Sequence, residues 1–210
     1  NSFDTICHEH LEYYSVQTLK FLMKKNNLKI FKISRNNING GSIRCFVTHS
    51  DNKKFDNNIN YKQISRLIEL EKKLKINNLK IYKQFSKNIQ NIKKKLINLI
   101  YSLKKQGKSI QILGASTKGN TILQFLDIEK NIIKFAAERN KQKIGAQIIG
   151  TNIKIISEKM SFQKKPDYYL VLPWHFKSEI VKRESKFLKS GGNLIFPLPK
   201  VQIINNNSLK

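Results

Sequence analysis

Ser109-Ile110-Gln111-Ile112-Leu113-Gly114-Ala115-Ser116-Thr117-Lys118-Gly119-Asn120 decides the fold class. A short apolar strand at 109–113 meets a polar loop bracketed by glycines at 114–120, and a helix begins at 121–126. That order puts backbone N–H groups and a helix N-terminus at the carboxyl edge of a sheet, where a phosphate or pyrophosphate is favoured. Lys118 adds a point charge and Asn120 a fixed amide. The spacing is neither a Walker A loop, which ends Gly-Lys-Ser/Thr, nor the G-x-G-x-x-G fingerprint. An anion site and a plain strand-to-helix turn both fit it.

Downstream, strand patterns recur at 132–137, 153–156, 167–172 and 193–196, with a helix expected at 177–189. Strands alternating with helices predict an α/β fold with a Rossmann-like parallel sheet. Glu138 follows the second of these strands about 20 residues after the glycine loop, where such sites hold ribose hydroxyls, and Arg139 and Asn140 stand beside it. A solvated strand-end charge explains Glu138 as well. Pro173-Trp174-His175-Phe176 follows the apolar strand 167–172. Trp174 either stacks on a ligand ring or plugs the gap between helix and sheet.

Upstream, residues 15–25 read as a short helix capped by Ser15, and 28–38 and 42–48 as two strands joined through Gly40-Gly41. An antiparallel hairpin after a helix is a common ending for a parallel α/β sheet. Polar residues 49–60 mark a loop and a domain boundary. Helices follow at 61–74 and 77–106, the second with Leu79, Tyr82, Phe85, Ile89, Ile92, Leu96, Ile100 and Leu103 at helical spacing. The expected segments are 1–50, 51–107, 108–204 and a polar tail at 205–210.

The chain has 210 residues, 40% hydrophobic and 26% charged, which lies within the globular range. No apolar run approaches the roughly 18 residues of a membrane span. Two cysteines, Cys7 and Cys45, are too few for a disulfide framework and fit a reducing, cytoplasmic setting. Forty Lys and Arg against 14 Asp and Glu give a net charge of +26. Only five of the forty are arginine, the residue favoured for reading bases and clamping phosphates. Lysine, isoleucine and asparagine are inflated together, as codons rich in A and T produce, so most of the charge reads as a solvated lysine coat and neither nucleic acid nor membrane is expected as a partner. The rival reading is a non-enzymatic polyanion- or nucleotide-binding module built on the lysine-rich helices.

Cys7-His8-Glu9-His10 is the densest polar cluster. It lacks a convincing fourth zinc ligand and any strong zinc spacing, so no metal is assigned. Acid–base chemistry fits better, because histidine titrates near neutral pH and Glu9 can orient a neighbour. A polar strand end is the bland reading. The chain opens at Asn1 without methionine and reads as a piece of something longer.

Phe3-Asp4-Thr5-Ile6-Cys7-His8-Glu9-His10, Gly40-Gly41-Ser42-Ile43-Arg44, the 114–120 loop, Pro166-Asp167-Tyr168-Tyr169-Leu170-Val171-Leu172-Pro173-Trp174-His175-Phe176 and Gly191-Gly192-Asn193-Leu194-Ile195-Phe196-Pro197-Leu198-Pro199 occur in this order. Together they resemble the C-terminal half of the sugar C-methyltransferases, which use S-adenosylmethionine to methylate C3 of a nucleotide-linked 4-keto-deoxyhexose. The resemblance implies that 1–50 is the end of a class I methyltransferase sheet, 51–107 a helical connector and 108–204 a nucleotide-sugar domain. It implies His10 as base, Glu9 as its adjacent carboxylate and His8 as a donor near the enolate. It assigns Gly114, Ser116, Thr117, Lys118, Gly119 and Asn120 to the nucleotide-sugar loop, with Glu138, Arg139, Asn140, Trp174 and His175 as further contacts. Thymidine diphosphate is the carrier expected on the sugar. The family's S-adenosylmethionine loop and zinc cysteines have no counterpart here and are expected in a missing N-terminal half. The family commonly has tyrosine where this chain has Cys7, which removes a phenolic donor.

Overall fold

The computed structural model describes residues 1–128 and 132–209; Lys210, the end of the expected polar tail, lies outside them. The chain divides into two compact units, Leu11–Phe85 on the one hand and Asn1–His10 with Ser86–Lys210 on the other. Compactness thus divides the chain after 10 and after 85.

In the unit Leu11–Phe85, α1 (Val16–Lys25) leads into a hairpin of β1 (Leu28–Asn36) and β2 (Ser42–His49), followed by α2 (Tyr61–Lys73). Ser15 caps α1 by accepting from the Thr18 N–H. Glu71 of α2 accepts from the N–H groups of Val16 and Gln17 at 2.5 and 3.2 Å, so a carboxylate meets the positive end of α1. Ile30 and Ile33 are both buried in one cluster with Val16 and Ile64. Residues three apart on a regular strand face opposite ways, but the register shifts between Ile30 and Lys32, and this bulge turns both isoleucines to the same side. The carbonyl of the extra residue, Phe31, accepts from the Asn60 N–H, and its ring stacks on Phe55. The expected boundary loop at 49–60 therefore packs on the hairpin and carries a short 3-10 helix at Lys53–Asn58.

The other unit is built on a six-stranded sheet of β3 (Ile110–Leu113), β4 (Phe135–Glu138), β5 (Lys154–Ser157), β6 (Tyr168–Val171), β7 (Asn193–Phe196) and β8 (Gln202–Ile204). The order is β5-β4-β3-β6-β7-β8, parallel throughout except for β8, which runs antiparallel to β7. Successive connections run outward in opposite directions from β3 and β6, which makes a crevice at their carboxyl ends, the switch point of doubly wound sheets. β3 is buried along its whole length, and its one polar side chain, Gln111, accepts from the Ser161 hydroxyl, which also meets the Tyr169 hydroxyl. Asp167 joins the starts of β6 and β3 by accepting from the N–H and hydroxyl of Ser109, and those bonds hold its carboxyl below the ordinary carboxylate range.

Every strand expected after residue 108 is present, but the helices among them differ from expectation. α4 (Thr117–Leu126) starts at Thr117, so half of the expected loop is its first turn. The helix expected at 177–189 is two, α6 (Lys177–Arg183) and α7 (Ser185–Lys189), parted at Glu184. α5 (Glu158–Gln163), like β8, carried no sequence signal. The long α3 (Leu79–Lys105) buries its apolar stripe only from Ile89 onward; Leu79 is 67% and Tyr82 54% exposed. Among the described residues no helix is long and apolar enough to cross a membrane.

Leu170 is fully buried in β6 with Ile112 beside it on β3. Leu170→Ala is expected to destabilise the sheet by about 2–5 kcal/mol. Urea unfolding checks this, and a loss under about 1 kcal/mol would mean that β6 is not the centre of the core.

Candidate functional site

The 114–116 loop lies close against the end of β6. Gly114 has φ +86°, and a Cβ there would lie 2.8 Å from Cδ of Pro173. A Cβ on Gly119 would lie 2.7 Å from Cβ of Leu172. Both glycines are therefore required by close approach, and together they bring the first turn of α4 to the mouth of the crevice. Ser116 is the N-cap, its hydroxyl accepting from the Gly119 N–H at 3.1 Å. The N–H groups of Thr117 and Lys118 precede the helix's own hydrogen-bond ladder and remain available to an anion.

Glu138 ends β4 and its carboxylate is already engaged. It accepts from the N–H groups of Ala115, Arg139 and Asn140 at 2.8, 2.8 and 2.9 Å. Burial pushes its pKa up, but the three N–H bonds and nearby Lys143 outweigh burial and hold it below the ordinary value. The residue expected to meet a ribose therefore also fastens the β3 loop to the β4 loop. Lys143 strengthens the same junction by donating to the Ala115 carbonyl at 2.8 Å.

Two cavities share this loop. One of about 520 Å³ is lined by Gly114, Ser116, Glu138, Arg139 and Asn140 and is completed by Phe176, Glu158 and Arg183. The other, about 320 Å³, has Ser116, Thr117 and Asn120 against His8. Both lie within the size range of small-ligand sites. Arg183 and Arg139 approach the two oxygens of Glu158 at 3.0 and 4.0 Å. Burial raises the Glu158 pKa, and Glu184 and Glu138 add to that rise, more than the arginines offset.

Trp174 does not line either cavity. It is 9% exposed and donates its indole N–H to Asp4, as a plug between elements rather than a stacking surface. Phe176, two residues on, is 46% exposed and faces the larger cavity. His175 sits between the two rings. Burial, followed by the charge of Lys118, lowers the His175 pKa, with Asp4 opposing.

Residues 1–10 pack on this same unit. The 3-10 turn Phe3–Thr5 puts the Phe3 ring 4.8 Å from Phe125 of α4. Beyond it the chain makes a turn closed by the His10 N–H on the Cys7 carbonyl, so Cys7-His8-Glu9-His10 is neither an extended segment nor a strand end. His10 Nδ1 lies 2.9 Å from the Thr5 carbonyl. A carbonyl only accepts, so the neutral ring carries its hydrogen on Nδ1 and leaves the Nε2 lone pair free. His8, Glu9 and His10 are exposed. Among the described residues no three His, Cys, Asp or Glu side chains are grouped as metal ligands.

Sequence reasoning missed Lys143, Glu158, Arg183 and Asp4. A signal existed for Arg183: two of only five arginines in a lysine-saturated chain, Arg139 and Arg183, line the larger cavity.

Gly119→Ala is expected to push α4 away from Leu172, destabilise the unit by about 1–3 kcal/mol and weaken the protection given by pyrophosphate in thermal melts. Unchanged melting with and without pyrophosphate would refute the close-approach argument. His175, its folded pKa below the ordinary 6.5, favours the folded state above pH 6.5 and withdraws that support as pH falls through the folded value. Melting temperature should therefore drop further between pH 7.5 and 5.5 in the wild type than in His175→Gln; equal drops would remove His175 as the cause.

Comparison with known proteins places the chain in a family. The family model described as the C-methyltransferase C-terminal domain matches residues 37–199, a span that holds the whole six-stranded sheet up to β7 and leaves out His8, Glu9 and His10. C-methyltransferase NovU of Streptomyces niveus is 28% identical over 208 residues, covering 99% of this chain and 49% of that protein, so the chain spans about half the length of this curated relative. On the strength of that match, the chain belongs to the C-methyltransferase C-terminal domain family.

Proposed function

We propose that the chain is the substrate-holding part of an enzyme that moves a methyl group from S-adenosylmethionine to C3 of a nucleotide-linked 4-keto-deoxyhexose. Residues 1–50 then close the cofactor domain, 51–107 connect, and 108–204 hold the nucleotide sugar, in a protein of the cytoplasm. The diphosphate is assigned to the first turn of α4, where Thr117 and Lys118 offer free N–H groups and Lys118 a charge. The adjoining cavity sets Arg139, Lys143 and Arg183 against Glu138, Glu158 and Glu179, so its formal charges balance and the anion is assigned to the α4 terminus. S-adenosylmethionine, with any zinc, is assigned to a preceding half of the protein, and when bound it supplies an electrophilic methyl group.

The observation that carries the reading is the 2.9 Å approach of His10 Nδ1 to the Thr5 carbonyl. In the neutral ring Nδ1–H donates to the Thr5 carbonyl, which leaves the exposed Nε2 as the nitrogen able to accept a proton. A ketone at C4 acidifies the proton on C3. His10 Nε2 takes that proton, the electron pair spreads onto O4 as an enolate, and C3 becomes the nucleophile. Glu9 flanks the base in the same turn. His8, which lines the smaller cavity with Ser116 and Thr117, is assigned as a donor to the developing oxyanion.

In the complete protein, His10→Ala is expected to lower methyl transfer by about 100-fold or more. Thymidine diphosphate should still raise the melting temperature of that variant, by an amount equivalent to about 2.7 kcal/mol at a hundredfold excess over its Kd. Wild-type turnover in the variant would remove His10 as the base. A flat melting temperature at millimolar nucleotide would remove the diphosphate site.

A further inference from the structure

Asp4 and Trp174 are 170 positions apart in the chain, and both are buried. Asp4 is 1% exposed; its Oδ2 accepts from the Trp174 indole N–H at 2.8 Å, while Oδ1, equally shielded from solvent, meets no hydrogen-bond donor among the described residues. A buried carboxylate with half of its capacity unused is a costly way to fill space, and an apolar side chain would pack there at lower free energy. The geometry on either side of the bond gives the carboxylate a different use. Asp4 directly precedes Thr5, whose carbonyl accepts from both the Cys7 N–H and His10 Nδ1. Trp174 opens the 3-10 turn Trp174–Phe176, which ends in the aromatic wall of the larger cavity. The Phe3 ring against Phe125 holds the outer flank of the same turn on α4.

We propose that Asp4 is a positioning residue: through Trp174 it locks the histidine turn to the loop after β6 and thereby keeps His10 in the Nδ1–H form with Nε2 free. The role in turnover rests on the reading of His10 as the base. The mechanical role does not, because it concerns only the state of the imidazole. Release of Asp4 frees the Thr5 carbonyl to move away from His10, and an unconstrained imidazole favours the Nε2–H tautomer, in which the exposed nitrogen is no longer a base.

The test uses the complete protein with 15N-labelled histidine, His10 being assigned by comparison with His10→Gln. Asp4→Ala and Trp174→Phe are each expected to move His10 from the Nδ1–H to the Nε2–H signature, with the double variant going no further than the singles. Asp4→Asn keeps an acceptor for the indole and should keep the wild-type signature. In turnover, Asp4→Ala and Trp174→Phe should lose about 100-fold in kcat with KM changed less than about threefold, as a misplaced catalytic group predicts. A His10 signature that stays Nδ1–H in either folded single variant overturns the proposal. Should Asp4→Ala fail to fold, Trp174→Phe decides. Full turnover in His10→Ala would sink the base reading alone, leaving the 15N signature to judge the positioning role.

Discussion

The absence of a side chain at position 119 is the constraint on which the crevice depends. Leu172 occupies the space a Cβ would need, so the first turn of α4 reaches the end of β6 only as glycine. Gly114 meets Pro173 under the same restriction. With both in place, the N-cap hydroxyl of Ser116, the free N–H groups behind it and the carboxylate of Glu138 converge within one loop. The two cavities share that loop because it projects between them.

Much of this unit was legible in the sequence, and the parts that were not have physical reasons. Short buried strands announce themselves by dense apolar runs, unbroken in Tyr168–Val171 and interrupted by Gln111 in Ile110–Leu113, and the parallel order follows from their alternation with helices. The start of α4 was misplaced because Gly119 is a poor helix former; tertiary approach, not propensity, put it there. β8 has three residues and no alternation to read. For Trp174 the sequence left stacking and plugging equally open, because its partner, Asp4, sits at the other end of the chain, where no local pattern points to it. The histidines were found by their chemistry, but not the turn that the His10 N–H closes on the Cys7 carbonyl.

Charge divides along similar lines. The +26 excess comes mainly from lysine, and the lysines of α2 and α3 lie mostly on exposed faces. The charges that matter to the crevice are few and already constrained: Arg183 and Arg139 by Glu158, Lys143 by the Ala115 carbonyl. Net charge told little about the site, while the scarce arginines told more, because an arginine retained against a lysine background marks a place where a planar fork is wanted.

Glu138 has a kinetic consequence. Three N–H groups from two loops converge on its carboxylate, and Lys143 braces the same junction. Under the proposed function, a ligand arriving there would meet a cradle whose shape exists before the encounter, so little ordering would accompany capture. Association is then governed by diffusion and long-range attraction, and the lifetime of the complex by how well the ligand's own groups match the cradle. Discrimination between related ligands accordingly falls on their rates of departure.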